Sequence, residues 1–203
     1  ILSCSNEQSN PETPLSSFVD KATPQNTLPV NTQIGTDWVL SFSDEFNDNR
    51  IDFNKWVIKD ESRGKRDNLG IAEWFFKPQN VTEEDGNLVL KVSKVGTDQM
   101  YCSSVFSNGK YYMHYGYAEA RIKLADIKKT PLTAFWLQSD KMGNVDGTGN
   151  DGAEIDIFES AYLADEVIST IHIDGYGKDH QEKNFRYATP KVHEGYHVWG
   201  MLW

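Results

Sequence analysis

The chain has 203 residues, with 20 Lys and Arg against 30 Asp and Glu, a net charge of −10 and a pI near 4.9. This is enough length for one substantial domain with its own core. The acidic balance argues against a nucleic-acid partner and, less strongly, against a strongly anionic substrate. No run of eighteen apolar residues occurs, so no segment reads as a membrane-spanning helix.

Ile1-Leu2-Ser3-Cys4 resembles the end of a bacterial lipoprotein signal with Cys4 as the lipidated residue, although an arbitrary chain boundary explains four residues equally well. Residues 5–36 are poor in large apolar side chains and rich in Ser, Asn, Thr, Gln and Pro. Such a stretch buries too little surface to offset its ordering entropy and reads as a flexible tether. The expectation for residues 1–36 is therefore a signal remnant plus tether, holding a domain at a bacterial cell surface, as in an outer-membrane lipoprotein, or outside the cell. Two cysteines are too few for a disulfide framework, and Cys102, in a strand-like run, reads as a buried small hydrophobe.

The domain is expected to occupy residues 37–203. Trp38–Phe46 contains a strand pattern, and Asn47-Asp48-Asn49 a turn. Glu61–Gly70 is a polar loop carrying Arg63, Lys65 and Arg66, either simply solvated or in contact with an acidic or hydroxyl-rich ligand. Short strands follow at close spacing: Leu88–Val92 after the turn Glu84–Asn87, Tyr101–Phe106 before an Asn108-Gly109 hairpin signal, then Tyr115–Leu124 and Ala134–Leu137. A Gly/Asn/Asp loop over 141–152 leads into Gly152–Glu159. Val167–Ile173 is the next strand, 174–180 a loop, and Tyr196–Trp203 the last strand. No long 3.6-residue period and no internal repeat is present. Many short strands mean an all-β sandwich or barrel. A strand ending at Trp203 suggests that further strands complete the sheets.

Glu154-Ile155-Asp156-Ile157-Phe158-Glu159 places three carboxylates in six residues of an apolar run. On a regular strand Glu154 and Asp156 share one face and Glu159 takes the other. One β-bulge between Asp156 and Glu159 brings all three to one face. Mutual repulsion then raises carboxyl pKa values, keeping one acid protonated beside an ionised one. Glycoside hydrolysis uses such a pair. An edge strand with scattered solvent-facing acids has the same composition.

Collinear with this motif, Ser43–Phe46, Asp85–Leu90, Tyr115–Lys123 and Ala134–Leu137 resemble successive strands of glycoside hydrolase family 16, from about Trp38 to Trp203. The resemblance implies a jelly-roll sandwich of two curved antiparallel sheets with an open concave cleft. It implies retaining hydrolysis, with Glu154 as nucleophile, Glu159 as general acid/base and Asp156 hydrogen-bonded to the nucleophile. Retention needs carboxyl groups roughly 5–5.5 Å apart, which same-face positions on a bulged strand can supply. Trp136 corresponds to a tryptophan that packs against the sugar at the cleavage point. His172 reads as a substrate contact or a strand-end histidine, and His180 as a solvated loop residue. The expected substrate is a β-1,3- or mixed-linkage β-glucan by family base rate, with agarose-, porphyran- or carrageenan-type galactans as the alternative and a non-catalytic carbohydrate-binding module as a reading from another class. No catalytic cofactor or catalytic metal is expected. The family allows a structural calcium, although no acidic loop here has specific ligand spacing. The chain is expected to act as a monomer.

Overall fold

The computed structural model describes residues 19–24, 38–65, 70–125, 132–160 and 165–203. Cys4, Asp37, Arg66 and most of the expected tether lie outside the described residues. The described chain is all-β apart from one 3-10 turn and falls into two compact units, residues 1–113 and 114–203.

The first unit contains β1 (Val57–Ile58), β2 (Glu61–Ser62), β3 (Glu73–Phe76), β4 (Val81–Glu84), β5 (Asn87–Leu90), β6 (Ser93–Val95), β7 (Gln99–Cys102) and β8 (Val105–Phe106). β4 and β5 form a hairpin closed by Asp85 and Gly86 at φ 52° and 70°. That pair of positive φ values is the demand of the tight turn, and Asp-Gly meets it. β3 and β7 pair in parallel, whereas the sequence reading expects antiparallel sheets throughout. The connection between them contains the β4–β5 hairpin and β6, and so has the length a parallel crossover requires. Asn80 is buried in the 3-10 turn, with Nδ2 at 2.8 Å from Tyr101 O, 3.0 Å from Ser93 Oγ and 3.2 Å from Lys91 O.

Trp38–Phe46, expected as a strand, has no ladder partner among the described residues. Side chains hold it instead. Phe42 stacks on Tyr111, with centroids 4.7 Å apart, and meets Trp56 edge-on, while Asp44 accepts a 2.7 Å bond from Trp56 Nε1. Residues 19–24 form a turn on the same segment: Ser43 Oγ donates to Asp20 and Thr23 Oγ1 to Glu45, at 2.5 and 2.6 Å. Cys102 is half-buried on β7.

The second unit contains β9 (Tyr117–Ile122), β10 (Thr133–Gln138), β11 (Ala153–Ser160), β12 (Glu166–Ile173), β13 (Gln181–Ala188) and β14 (His197–Leu202). β10–β13 form one antiparallel sheet in chain order, and β9 pairs with β14. Leu124, Phe158, Val167 and Val192 make the buried core, with Ile122, Phe135 and Trp199 against it. Phe158 is fully buried and stacks on Trp199 at 4.1 Å. Phe158 therefore turns its side of β11 towards this core.

Candidate active site

Three strands bring the site together. Cα partners across antiparallel strands share a face. Gln138 stands opposite Glu154, Trp136 opposite Asp156, and Ala134 opposite Glu159. On the other side, Glu154 faces His172, Asp156 faces Thr170, and Glu159 faces Ile168. The register shifts between Asp156 and Glu159, with Ile157 and Phe158 on β11 opposing Ser169 alone. The β10 ladder shifts at the same place. Ser169 Oγ donates to the Ile157 carbonyl at 2.7 Å, giving the bulge a hydrogen-bond partner. Glu154, Asp156 and Glu159 therefore share one face, with Trp136 and His172 among them.

Each carboxylate has its own surroundings. Glu154 accepts from Gln138 Nε2 and from the Tyr176 hydroxyl. Burial, reinforced by the Glu154 bond, holds the Tyr176 pKa well above its ordinary value, so this phenol stays a donor. Asp156 is 4 % exposed. Burial, then the charges of Glu159 and Glu154, push its pKa up to about 7. Burial, followed by Glu154 and Glu182, also raises Glu159. Asp156 and Glu159 thus retain protons into a range where an ordinary carboxyl has lost its own.

The loops after β10 and β12 frame this face. Asp174 is buried and accepts from the Asp146 and Gly147 backbone N–H groups, both at 3.0 Å, and from Gln181 Nε2 at 2.8 Å. Burial works against its ionisation, but these bonds hold its pKa below the usual carboxylate value. Gly175 N–H donates to Met142 O at 2.7 Å. Gly152, at φ 148°, lets the 141–142 backbone come so close that a Cβ would sit 2.6 Å from the Lys141 carbonyl carbon. Tyr176 is carried on this frame beside His172 and His180, with ring centroids 5.6 and 5.2 Å away.

Sequence reading singled out neither Gln138 nor Tyr176, and it left His180 in solvent. His180 is half-buried, with Nε2 2.9 Å from His172 Nδ1. Glu182, the strand partner of His172, has Oε2 3.5 Å from the same Nδ1. Alternation alone points to Gln138, two residues past Trp136. The other contacts depend on loop return. Among the described residues, two groups have donor atoms mutually within 4.8 Å: His172, His180 and Glu182, and Glu154, Asp156 and His172. The histidine rings lie 20° apart in plane with centroids at 5.1 Å, which sets the two nitrogens near the line joining the rings. They point at each other, as in an N–H···N bond, rather than at a shared ion. Arg186 lies on the same face further along β13 and is paired with Glu166 at 2.8 Å. Arg63 and Lys65 belong to the first unit; Arg63 pairs with Glu61 at 3.2 Å and lies over the rings of Phe76 and Trp74.

An all-β chain with three carboxylates on one bulged strand defines a glycoside hydrolase, and comparison with known proteins names the group. The chain belongs to glycoside hydrolase family 16, since residues 38–203 match the family described as the GH16 domain of beta-porphyranases A–D. It is 30% identical to beta-porphyranase D of Zobellia galactanivorans, over 92% of this chain and 48% of that protein. It is 25% identical to the keratan-sulfate endo-1,4-beta-galactosidase of Sphingobacterium multivorum, over 100% of this chain and 48% of that one. The chain thus spans about half the length of these curated relatives. Among solved structures it resembles the laminarinase catalytic domain of Thermotoga maritima MSB8, with a TM-score of 0.63 and 27% identity over 83% of this chain and 71% of the other. The fold is the jelly-roll β-sandwich that the motifs imply.

Proposed function

We propose that this chain is a retaining endo-hydrolase of a β-linked galactan of the porphyran or keratan-sulfate type. The observation that carries the hydrolytic chemistry is the shared face of Glu154, Asp156 and Glu159, with burial raising the last two. Glu154, oriented by Gln138 and Tyr176, attacks the anomeric carbon as a carboxylate. Glu159, protonated, gives its proton to the departing glycosidic oxygen. The glycosyl–Glu154 ester forms as the glycosidic bond breaks. Glu159 then takes a proton from the water that attacks the same carbon, which frees Glu154. Asp156 keeps a proton and donates it in a hydrogen bond to Glu154. Trp136, opposite Asp156, offers a ring face to the sugar at the cleavage point, and His172 lies beside it. A pure binding module has no use for two acids with raised pKa values beside a third carboxylate.

The family match and both curated relatives favour a galactan over the glucan suggested by base rate. Likeness to laminarinases supports the glucan as the second reading. The test is reducing-sugar release from porphyran, agarose, keratan sulfate, carrageenan, laminarin and mixed-linkage glucan, with Glu154→Gln alongside. Release from a galactan, lost in the variant, with the product's anomeric configuration retained by proton NMR, supports the proposal. Release from laminarin or mixed-linkage glucan alone moves the substrate to glucan. Equal hydrolysis by parent and variant removes Glu154 from the mechanism. The surface location belongs to the same proposal: Cys4→Ser in the precursor should release the protein from membranes, and unchanged partitioning rejects the anchor.

A further inference from the structure

Behind Asp156 runs a line of groups that the proposed chemistry does not use. Asp156 Oδ2 lies 3.3 Å from His172 Nε2. His172 Nδ1, at the opposite corner of the ring, lies 2.9 Å from His180 Nε2. Glu182 Oε2 lies 3.5 Å from that same Nδ1. The titratable groups facing this line are Glu154 and Glu159 on β11, Tyr176 in the loop after β12, and Glu182 on β13. On β10 the neighbours, Trp136 and Gln138, are uncharged. Arg186, the cation on this face of β13, is engaged by Glu166.

A neutral imidazole carries one N–H and one bare nitrogen, so each ring here has a direction. Asp156 has one proton to give. With Glu154 taking it, Asp156 Oδ2 must accept, and the facing donor is His172 Nε2–H. His172 Nδ1 is then bare and becomes an acceptor. Glu182, a carboxylate, is an acceptor as well. His180 Nε2, 2.9 Å from His172 Nδ1, can supply the N–H that this nitrogen needs.

We propose that His180 is a positioning residue for the reaction: its Nε2–H donates to His172 Nδ1 and holds His172 in the tautomer whose Nε2–H faces Asp156. This rests on the reading of Glu154, Asp156 and Glu159 as the catalytic trio. The line His180–His172–Asp156–Glu154 then points every donor towards the nucleophile, each link polarising the next. The loop histidine acts on the reacting atoms without touching the sugar. Tyr176, with its ring centroid 5.2 Å from that of His180, packs beside this line.

The test combines a tautomer measurement with kinetics on the full chain. Nitrogen-15 histidine NMR of the parent, without substrate, should show His172 and His180 both protonated on Nε2. His180→Ala should lower kcat about tenfold, the order expected for losing a hydrogen bond that supports a charged group, with KM nearly unchanged. Its alkaline limb should move upward, because Asp156 loses support for its ionised form. His180→Gln, whose amide N–H can reach His172 Nδ1, should recover most of the loss. A parent His172 protonated on Nδ1 overturns the proposal whatever the variants do. So does a His180→Ala effect confined to KM, or one that His180→Gln leaves unrepaired. Failure of the catalytic reading looks different: Glu154→Gln would keep its hydrolysis while the histidine tautomers remained as described.

Discussion

Glu159 stands on the same face of β11 as Asp156, three positions away, because Ile157 is the extra residue where both neighbouring ladders shift register. The bulge carbonyl has its partner in Ser169, and Phe158 is left pointing into the core.

Removing that extra residue tests the relation. Deleting Ile157 restores strict alternation, and Glu154, Asp156 and Glu159 then share a face with no bulge. The deletion variant should fold, lose about 1–3 kcal/mol for the missing half-buried side chain, and keep measurable hydrolysis. Urea unfolding and reducing-sugar release check both parts. Deleting Phe158 instead empties the core and should abolish folding at moderate temperature.

Removing the proposed nucleophile should separate binding from turnover. Glu154→Gln is expected to lower kcat by at least about a thousandfold while polysaccharide binding, followed by affinity electrophoresis, stays within a few-fold. Glu159→Gln should hurt substrates with poor leaving groups most, because an activated aryl leaving group needs no proton. Equal losses on both kinds of substrate would take the acid role away from Glu159.

The raised carboxyl pKa values have a sign that thermal melts can read. Asp156 holds its proton to about pH 7 in the folded chain and to about 4 when unfolded. Between these values the folded state binds more protons, so stability falls as pH rises from 4 to 7 and the cost is complete above that window. Asp156→Asn removes it. The variant's Tm should change less than the parent's between pH 4 and 8, while its activity drops because the proton for Glu154 is fixed on a weaker donor. Glu159 shifts the same way, so kcat/KM should decline on the alkaline side as the coupled pair loses its proton.

Gly152 is required by contact and by backbone together. Gly152→Ala puts a Cβ 2.6 Å from a main-chain carbon, at φ 148°. The expected loss is about 1–3 kcal/mol from overpacking. Activity should fall further than stability, since the displaced 141–152 loop helps to anchor Asp174 beside Tyr176. A chemical melt and kcat on one preparation distinguish the two.

Much of the fold was legible because local chemistry and tertiary position agree. β10, β11 and β12 carry β-branched and aromatic residues, and Asp85-Gly86 marks its turn by φ alone. β13 was not legible. Gln181–Ala188 is exposed along its whole length, so no apolar alternation announces it, and its pairing with β12 supplies the order. Trp38–Phe46 erred the other way: it has strand composition, yet aromatic stacking and carboxylate bonds hold it, with no ladder among the described residues.

The class of chemistry was legible before any fold was known. Three carboxylates at that spacing, in a strand rich in Ile and Phe, can serve one face with a single bulge. Tertiary structure alone decided how each acid is tuned. Burial of Asp156 depends on Trp136 and Thr170 from neighbouring strands, and Glu154 finds its donors on β10 and on a loop twenty-two residues ahead. His180 reaches His172 only because the chain turns back between β12 and β13. A proton's affinity for its site depends on solvent exclusion and on nearby charge, and both are set by which distant segments come together.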